Sequence, residues 1–292
     1  MKIFEIGDGQ TIIKTPSHYY GACENEQTIQ LYKGERDDEP VIRIRIIYFE
    51  RVKGVTQKDI ITDFKEKATE YSTQAVTHSG KSYFSYDTDS SENLYMHIYE
   101  VMYGEHIVAI SLTANKGQGD TDEVNTYKKE IVEMIKSIDT LTSLELPLLE
   151  PKYEDLYYLT KEVAKVLDLP TEELGGVYES GEVVHILQDI LTRRDYEADD
   201  RVYYQALGML FGSCIAYQYE DFHWVVVSDE YGREMALQYR DYAVQCFPIS
   251  MITKRIEDGE DIDVNYLMEE VTSHIKSAVE RDKQFKVLDY NF

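Results

Sequence analysis

A chain of 292 residues is long for one ordinary domain and comfortable for two. Its 43% hydrophobic residues can fill a core, and 29% charged residues with only 6 prolines argue against disorder. The net charge of −25 repels phosphate backbones and anionic lipid, so neither nucleic acid nor a membrane surface is an expected partner, whereas a basic protein is.

The charge is uneven, at −9 up to Glu145 and −16 from Leu146 to Phe292. Met1–Gln10 holds one lysine and no apolar export core, and no apolar run approaches the ~20 residues of a membrane helix. Cys23, Cys214 and Cys246 are odd in number, far apart and in no C-x-x-C pattern. That usage predicts unpaired thiols in a reducing cytoplasm, with no disulfide framework and no zinc site.

The first half opens with short apolar runs at Ile3–Ile6, Thr11–Lys14, Thr28–Tyr32 and Val41–Phe49. In the last, Ile42, Ile44 and Ile46 alternate with Arg43 and Arg45, the period of a half-buried strand. The spacing of Ile60, Ile61, Phe64 and Ala68 predicts a helix from Gln57 to Tyr71. Strands follow at Lys81–Asp87, Leu94–Met102 and His106–Thr113, the first two joined by a polar turn from Asp89 to Asn93. A helix closes the half, capped by Asp120 or Thr121, with Val124, Tyr127, Ile131, Ile135 and Ile138 on one face. An antiparallel sheet packed with two helices makes this an α+β domain over residues 1–142.

That element order, with the opening Thr11-Ile12-Ile13-Lys14-Thr15-Pro16, resembles the PsbP/DcrB-like fold over about residues 1–140. The resemblance implies an α/β/α sandwich whose members mostly bind other proteins, and it carries no functional residues with it.

Leu141–Lys152, with Pro147 and Pro151, reads as a connection lying against one domain, and the second domain as residues 152–292. Helices are predicted over Asp155–Leu167, Gly181–Arg193 (with Ser180 as its cap) and Asp200–Tyr219. The third carries Gly208, Gly212 and Ala216 at four-residue spacing. Interior glycines cost about 1 kcal/mol each against alanine, so the stripe predicts another backbone packed close against this helix.

A three-stranded meander follows: His223–Ser228, a turn at Asp229-Glu230-Tyr231-Gly232, Arg233–Tyr239, then Ala243–Phe247. Pro248 can open a helix to Glu257, and Asp263 caps a last helix over Val264–Glu280. This half closely resembles a bacterial family known only as domain of unknown function 3806. The residues that carry it are Leu207-Gly208, Phe211-Gly212, Trp224-Val225-Val226, Asp229-Glu230-Tyr231-Gly232, Ala236-Leu237, Phe247-Pro248, Met251-Ile252 and Lys254-Arg255. The resemblance brings a fold and no activity.

Motifs of catalysis fail on inspection. Gly80-Lys81-Ser82 has Ala75 where a phosphate loop needs its first glycine, and it runs into a strand instead of a helix. Asp87, Asp89 and Ser91 lack the glycine and the glutamate of a calcium loop. The seven histidines show no HExxH, though His97 and His106 could face each other across a hairpin. Ser213 follows Phe211 where a nucleophile elbow needs glycine.

What remains is a polar cluster at strand ends: Asp229, Glu230, Arg233, Lys254 and Arg255, with Trp224 beside it. Turn chemistry and core packing account for Asp229, Gly232 and Trp224 on their own, while one of the two adjacent bases could face an anionic group. The expectation is a non-enzymatic protein of the bacterial cytoplasm, without cofactor or metal, that binds a basic or secreted protein as an immunity protein, adaptor or chaperone. The alternative is an enzyme with its site between the second sheet and the Lys254-Arg255 helix.

Overall fold

Alternating apolar residues lay down the larger sheet of the first unit. A computed structural model describes the chain apart from residues 8–10, 26, 35–38, 49–55, 90–93, 105, 141–147, 195, 198–199, 230–231, 241, 243 and 282–292, and of Ala22, Cys23, Tyr48, Gln57, Asp89 and Asp229 it describes the backbone alone. Its contacts fall into two units, Met1–Thr142 and Ser143–Asn291.

In the first unit the elements run β1 (Lys2–Ile6), β2 (Thr11–Thr15), β3 (Tyr20–Asn25), β4 (Thr28–Tyr32), β5 (Val41–Tyr48) and α1 (Gln57–Glu70). They continue with β6 (Val76–His78), β7 (Lys81–Asp89), β8 (Leu94–Tyr103), β9 (His106–Asn115), α2 (Asp122–Ser137) and β10 (Asp139–Thr140). A seven-stranded antiparallel sheet has the order β3-β4-β5-β9-β8-β7-β6, and a three-stranded one the order β1-β2-β10.

Strand parity assigns the two faces of the large sheet. Ile42, Ile44 and Ile46 of β5 and Val108, Ile110 and Leu112 of β9 join Phe4, Ile6 and Ile13 of the small sheet and Tyr127, Ile131 and Ile135 of α2 in one core. On the opposite face Phe84 and Ile107 meet Phe64 and Ala68 of α1. Helix caps are local: Thr56 and Asp59 form a capping box on α1, and Thr121 Oγ1 accepts from Val124 N at 3.3 Å to start α2.

A buried acid and a half-buried one are held by partners. Glu100, 5% exposed on the α1 face, accepts from Lys67 Nζ at 2.7 Å and Tyr86 Oη at 3.1 Å. Tyr19, wholly buried, donates to Glu130, which Lys33 also meets at 2.7 Å. His97 and His106 do not meet. His97 stands opposite Leu112 and binds Asp87 of β7 through Nδ1 at 2.6 Å, while His106 pairs with Tyr103. The expected polar turn at Ser90–Asn93 lies outside the described residues.

The second unit begins with β11 (Leu148–Leu149), α3 (Tyr153–Leu167), a 3-10 turn at Thr171–Glu173, α4 (Leu174–Ser180), α5 (Glu182–Arg193) and α6 (Arg201–Gln218). It ends with β12 (Phe222–Asp229), β13 (Gly232–Tyr239), β14 (Gln245–Cys246), α7 (Pro248–Glu257) and α8 (Val264–Arg281). The meander β12-β13-β14 is joined by β11 at its edge, where Leu149 is fully buried opposite Val226. Part of the expected connection is therefore sheet.

Helix α6 is buried on every side from Ala206 to Ile215, the mark of a central helix. A Cβ on Gly208 would stand 2.5 Å from Ile249 Cα, and one on Gly212 would stand 2.4 Å from the Trp224 ring and 2.8 Å from Pro248 Cγ. The glycine stripe thus admits α7 at backbone contact. Two expectations are corrected in detail. Gly181, with φ of 72°, caps α5, while Ser180 Oγ accepts from Glu182 N at 3.2 Å. The third strand is two residues long instead of five.

Gln188 of α5 pins the start of α8, donating to Ile262 O at 2.9 Å and accepting from Val264 N at 2.8 Å. Asp263 caps α8 through Tyr266 N at 3.0 Å. No helix among the described residues is long and apolar enough to cross a membrane.

Candidate binding groove

The register of the small sheet explains why a groove exists. Leu237 pairs with Cys246 and Gln238 with Gln245, and Tyr239 N donates to Val244 O. Arg240 N, one residue on, donates to Asp221 O on the β12 side. Odd-numbered residues of β13 therefore turn their N–H and C=O away from β12, toward the edge that β14 covers. Continuing the register would set residue 248 against Met235. That residue is Pro248, which has no N–H to give, and α7 begins there. The ladder on this edge stops at Leu237, and among the described residues no strand pairs with Gly232–Ala236 on that side.

Instead of running on beside β13, α7 packs against the glycines of α6. An open groove of about 1140 Å³ is left between the β13 edge and α7, with the start of α3 contributing to its wall.

Three of the expected site residues meet in it. Arg233 on β13 reaches Asp155 in the first turn of α3 with two parallel bonds, Nη1 to Oδ1 at 2.5 Å and Nη2 to Oδ2 at 2.6 Å. Asp155 Oδ2 also accepts from Lys152 N at 2.8 Å, so one carboxylate starts the helix and neutralises the arginine. Lys254 is exposed on the groove wall, and among the described residues no carboxylate forms an ion pair with it. Arg255 donates to Met251 O at 3.1 Å and lies 3.6 Å from Glu260.

Trp224 does not line the groove. It sits half-buried opposite Leu237, against Gly212, where it packs β12 on α6. Asp229 closes the hairpin by pairing with Gly232, and Glu230 lies outside the described residues, as does the Asp229 side chain.

Residues not singled out in the sequence complete the lining. Glu234 accepts from Ser250 Oγ at 2.6 Å, linking β13 to α7. Met209, Met235, Phe247 and Met251 supply the apolar surface, and Glu154 and Glu257 stand at exposed positions. The lining thus has acids at 154, 155, 234 and 257 against bases at 233, 254 and 255.

Cys246 also lines the groove, but burial pushes its thiol up to about 12, so it is protonated at neutral pH and a poor nucleophile. Among the described residues no group of three or more His, Cys, Asp or Glu side chains is placed to hold a metal ion. The arrangement presents groups suited to binding. Its strongest charges are already matched within the wall, and it offers a strand edge, adaptable apolar side chains and a free ammonium.

Known proteins add fold and a family segment. A crystal structure from Bacteroides thetaiotaomicron VPI-5482 is similar over 94% of this chain and 98% of its own, with a TM-score of 0.63 and 13% identity, a likeness of fold alone. The solution structure of cyanobacterial PsbP from Synechocystis sp. PCC 6803 matches weakly, with a TM-score of 0.30 and 10% identity over 48% of this chain and 93% of that one. No curated protein matches. Residues 184–267, from α5 into α8, match the model of the family described as "Domain of unknown function (DUF3806)", and every residue that carried the resemblance, from Leu207 to Arg255, lies inside that segment.

Proposed function

We propose that this protein works by binding another protein, and that the groove between β13 and α7 is where it does so. The observation that carries the reading is the groove itself: about 1140 Å³ beside an uncovered strand edge, with its inner arginine matched by Asp155. The net charge of −25 favours a partner with a basic surface and a fast, salt-sensitive encounter. The cytoplasm suits it, since Cys214 and Cys246 are both free and buried. An adaptor, a chaperone and an immunity protein are all roles that such binding would serve.

The test is capture of partners by the tagged full chain at about 0.05 M and about 0.5 M salt, which changes the Debye length roughly threefold. It is repeated with Lys254→Glu and with Ser250→Trp, which fills the groove. A stoichiometric partner, retained at low salt, lost at high salt and lost with Ser250→Trp, is the expected result. Partners indifferent to both salt and groove variants would overturn it.

The alternative, an enzyme acting in the same groove, draws support from the convergence of Arg233, Lys254 and Arg255 on it from β13 and α7. It predicts a small anionic ligand that raises the melting temperature in a metabolite screen and loses its effect with Lys254→Ala.

A further inference from the structure

Strand β13 runs on past the end of its ladder with β14. Met235 is an odd-numbered residue of β13, so its N–H and C=O point away from β12 into the side where the groove lies. Its register partner would be Pro248, which cannot donate. Natural sheets cover or blunt such edges, commonly with charge, short strands or a neighbouring helix. Here α7 packs into Gly208 and Gly212 and meets β13 through the Ser250–Glu234 bond, and the β13 edge lines the groove.

We propose that the groove takes a strand: an extended, basic segment of a partner protein adds to the β13 edge at Met235 and lies between β13 and α7. This deepens the reading that the protein binds another protein, and rests on it. Three features fix the occupant as an extended, basic chain. An uncovered edge gives main-chain pairing to a strand, which a helix cannot use because its own amides are already bonded. The groove is open along its length, and its volume of about 1140 Å³ has room for a short extended segment. Its lining is mixed in chemistry: Met209, Met235, Phe247 and Met251 supply apolar surface, and with Arg233 matched by Asp155 the acids at 154, 234 and 257 outnumber the bases at 254 and 255. The chain's −25 supplies the long-range attraction for a basic segment.

The test uses the full chain and a fluorescein-labelled peptide of about eight residues, lysine alternating with valine, read by fluorescence anisotropy. Three comparisons decide. A version N-methylated at alternate amides keeps charge and side chains but cannot form the ladder, and it should bind about tenfold more weakly or worse. A glutamate–valine version should not bind. Ser250→Trp, with folding checked by its melting curve, should abolish binding of the parent peptide. Slowed amide hydrogen exchange at Met235 on binding is the readout that does not depend on any variant folding.

A parent peptide weaker than about 1 mM, or one whose affinity is indifferent to N-methylation, overturns strand addition. If a native partner is captured yet Ser250→Trp leaves it bound, strand addition at this edge fails while protein binding stands. If the peptide binds with the expected sensitivity and no native partner is captured, the edge is real and the broader reading fails.

Discussion

Gly208→Ala puts the architecture of the groove to its sharpest test, because helix propensity and packing predict opposite signs. In an ordinary helix interior the change stabilises by up to about 1 kcal/mol, since glycine loses more backbone entropy on folding. At Gly208 the added Cβ would stand 2.5 Å from Ile249 Cα and 2.9 Å from Ile249 O. Carbon atoms rest at about 3.5–4.0 Å, so the first turn of α7 must retreat by roughly 1 Å. That turn is not free to retreat, since Pro248 packs at Gly212 and Ser250 Oγ holds Glu234 at 2.6 Å. Overpacking costs about 1–3 kcal/mol, a clash with backbone falls in its upper part at about 2–3 kcal/mol, and subtracting a propensity gain of about 1 kcal/mol leaves a net loss of roughly 1–2 kcal/mol.

The matched control is Gly176→Ala in α4, where no heavy atom lies within 4 Å of the new Cβ. It should stabilise by about 0.5–1 kcal/mol. Urea unfolding followed by tryptophan fluorescence measures both, because the sole tryptophan, Trp224, lies in the second unit and packs on α6 itself. With a slope of about 1–3 kcal/mol/M, the two midpoints should move in opposite directions by several tenths of a molar or more. A Gly208→Ala midpoint at or above wild type would refute the close approach of α7, and with it the geometry that leaves the β13 edge uncovered.

Three further outcomes follow from ionic groups. Arg233→Ala should cost the second unit about 1–3 kcal/mol, because it strands the Asp155 carboxylate, whose side chain is 14% exposed. Asp155→Ala should cost at least as much, since it also removes the cap on Lys152 N, and the double variant should cost less than the sum in a thermodynamic cycle. In the first unit Lys67→Met should destabilise by about 2–3 kcal/mol by leaving Glu100 buried without its cation, and Lys67→Met with Glu100→Leu should recover much of the loss in thermal melts. Cys214 and Cys246, both pushed up to about 12 by burial, should resist alkylation in the folded chain from pH 7 to 9 and react on unfolding, as mapped by mass spectrometry. The folded state binds more protons than the unfolded between about 8.5 and 12, so these thiols make stability fall as pH climbs through that window.

Periodicity and capping were enough to read the long elements. Helices α2, α3 and α8 and strands β5 and β9 declare themselves because each buries mainly one face whose spacing the chain must write down. The misses share a physical cause, which is that their structure is set by neighbours. Strands β10 and β11 are two residues each and exist only because β2 and β12 offer an edge. Strand β6 is exposed throughout, so no alternation marks it. Helix α4 contains Gly175 and Gly176, which local propensity counts against a helix. The glycine stripe of α6 was legible because its cost in propensity demands an offsetting contact, though the sequence could not say that the contact was α7.

The groove divides along the same line. Arg233, Lys254 and Arg255 stand close in the chain, so their convergence could be read from a strand followed by a helix. Their electrostatic state could not, because the carboxylate that neutralises Arg233 comes from Asp155, 78 residues away. Pro248 is the residue whose meaning changed most between sequence and structure. In the sequence it opens a helix. In the register of the sheet it also removes the one N–H that would have met Met235, so a single residue both ends β14 and leaves the β13 edge to whatever chain can supply a donor there. Pro248→Ala restores that donor without altering the lining charges. If the edge is a docking strand, the variant should weaken the alternating lysine–valine peptide by letting α7 fray into a longer β14. If the edge is incidental, it should change stability alone.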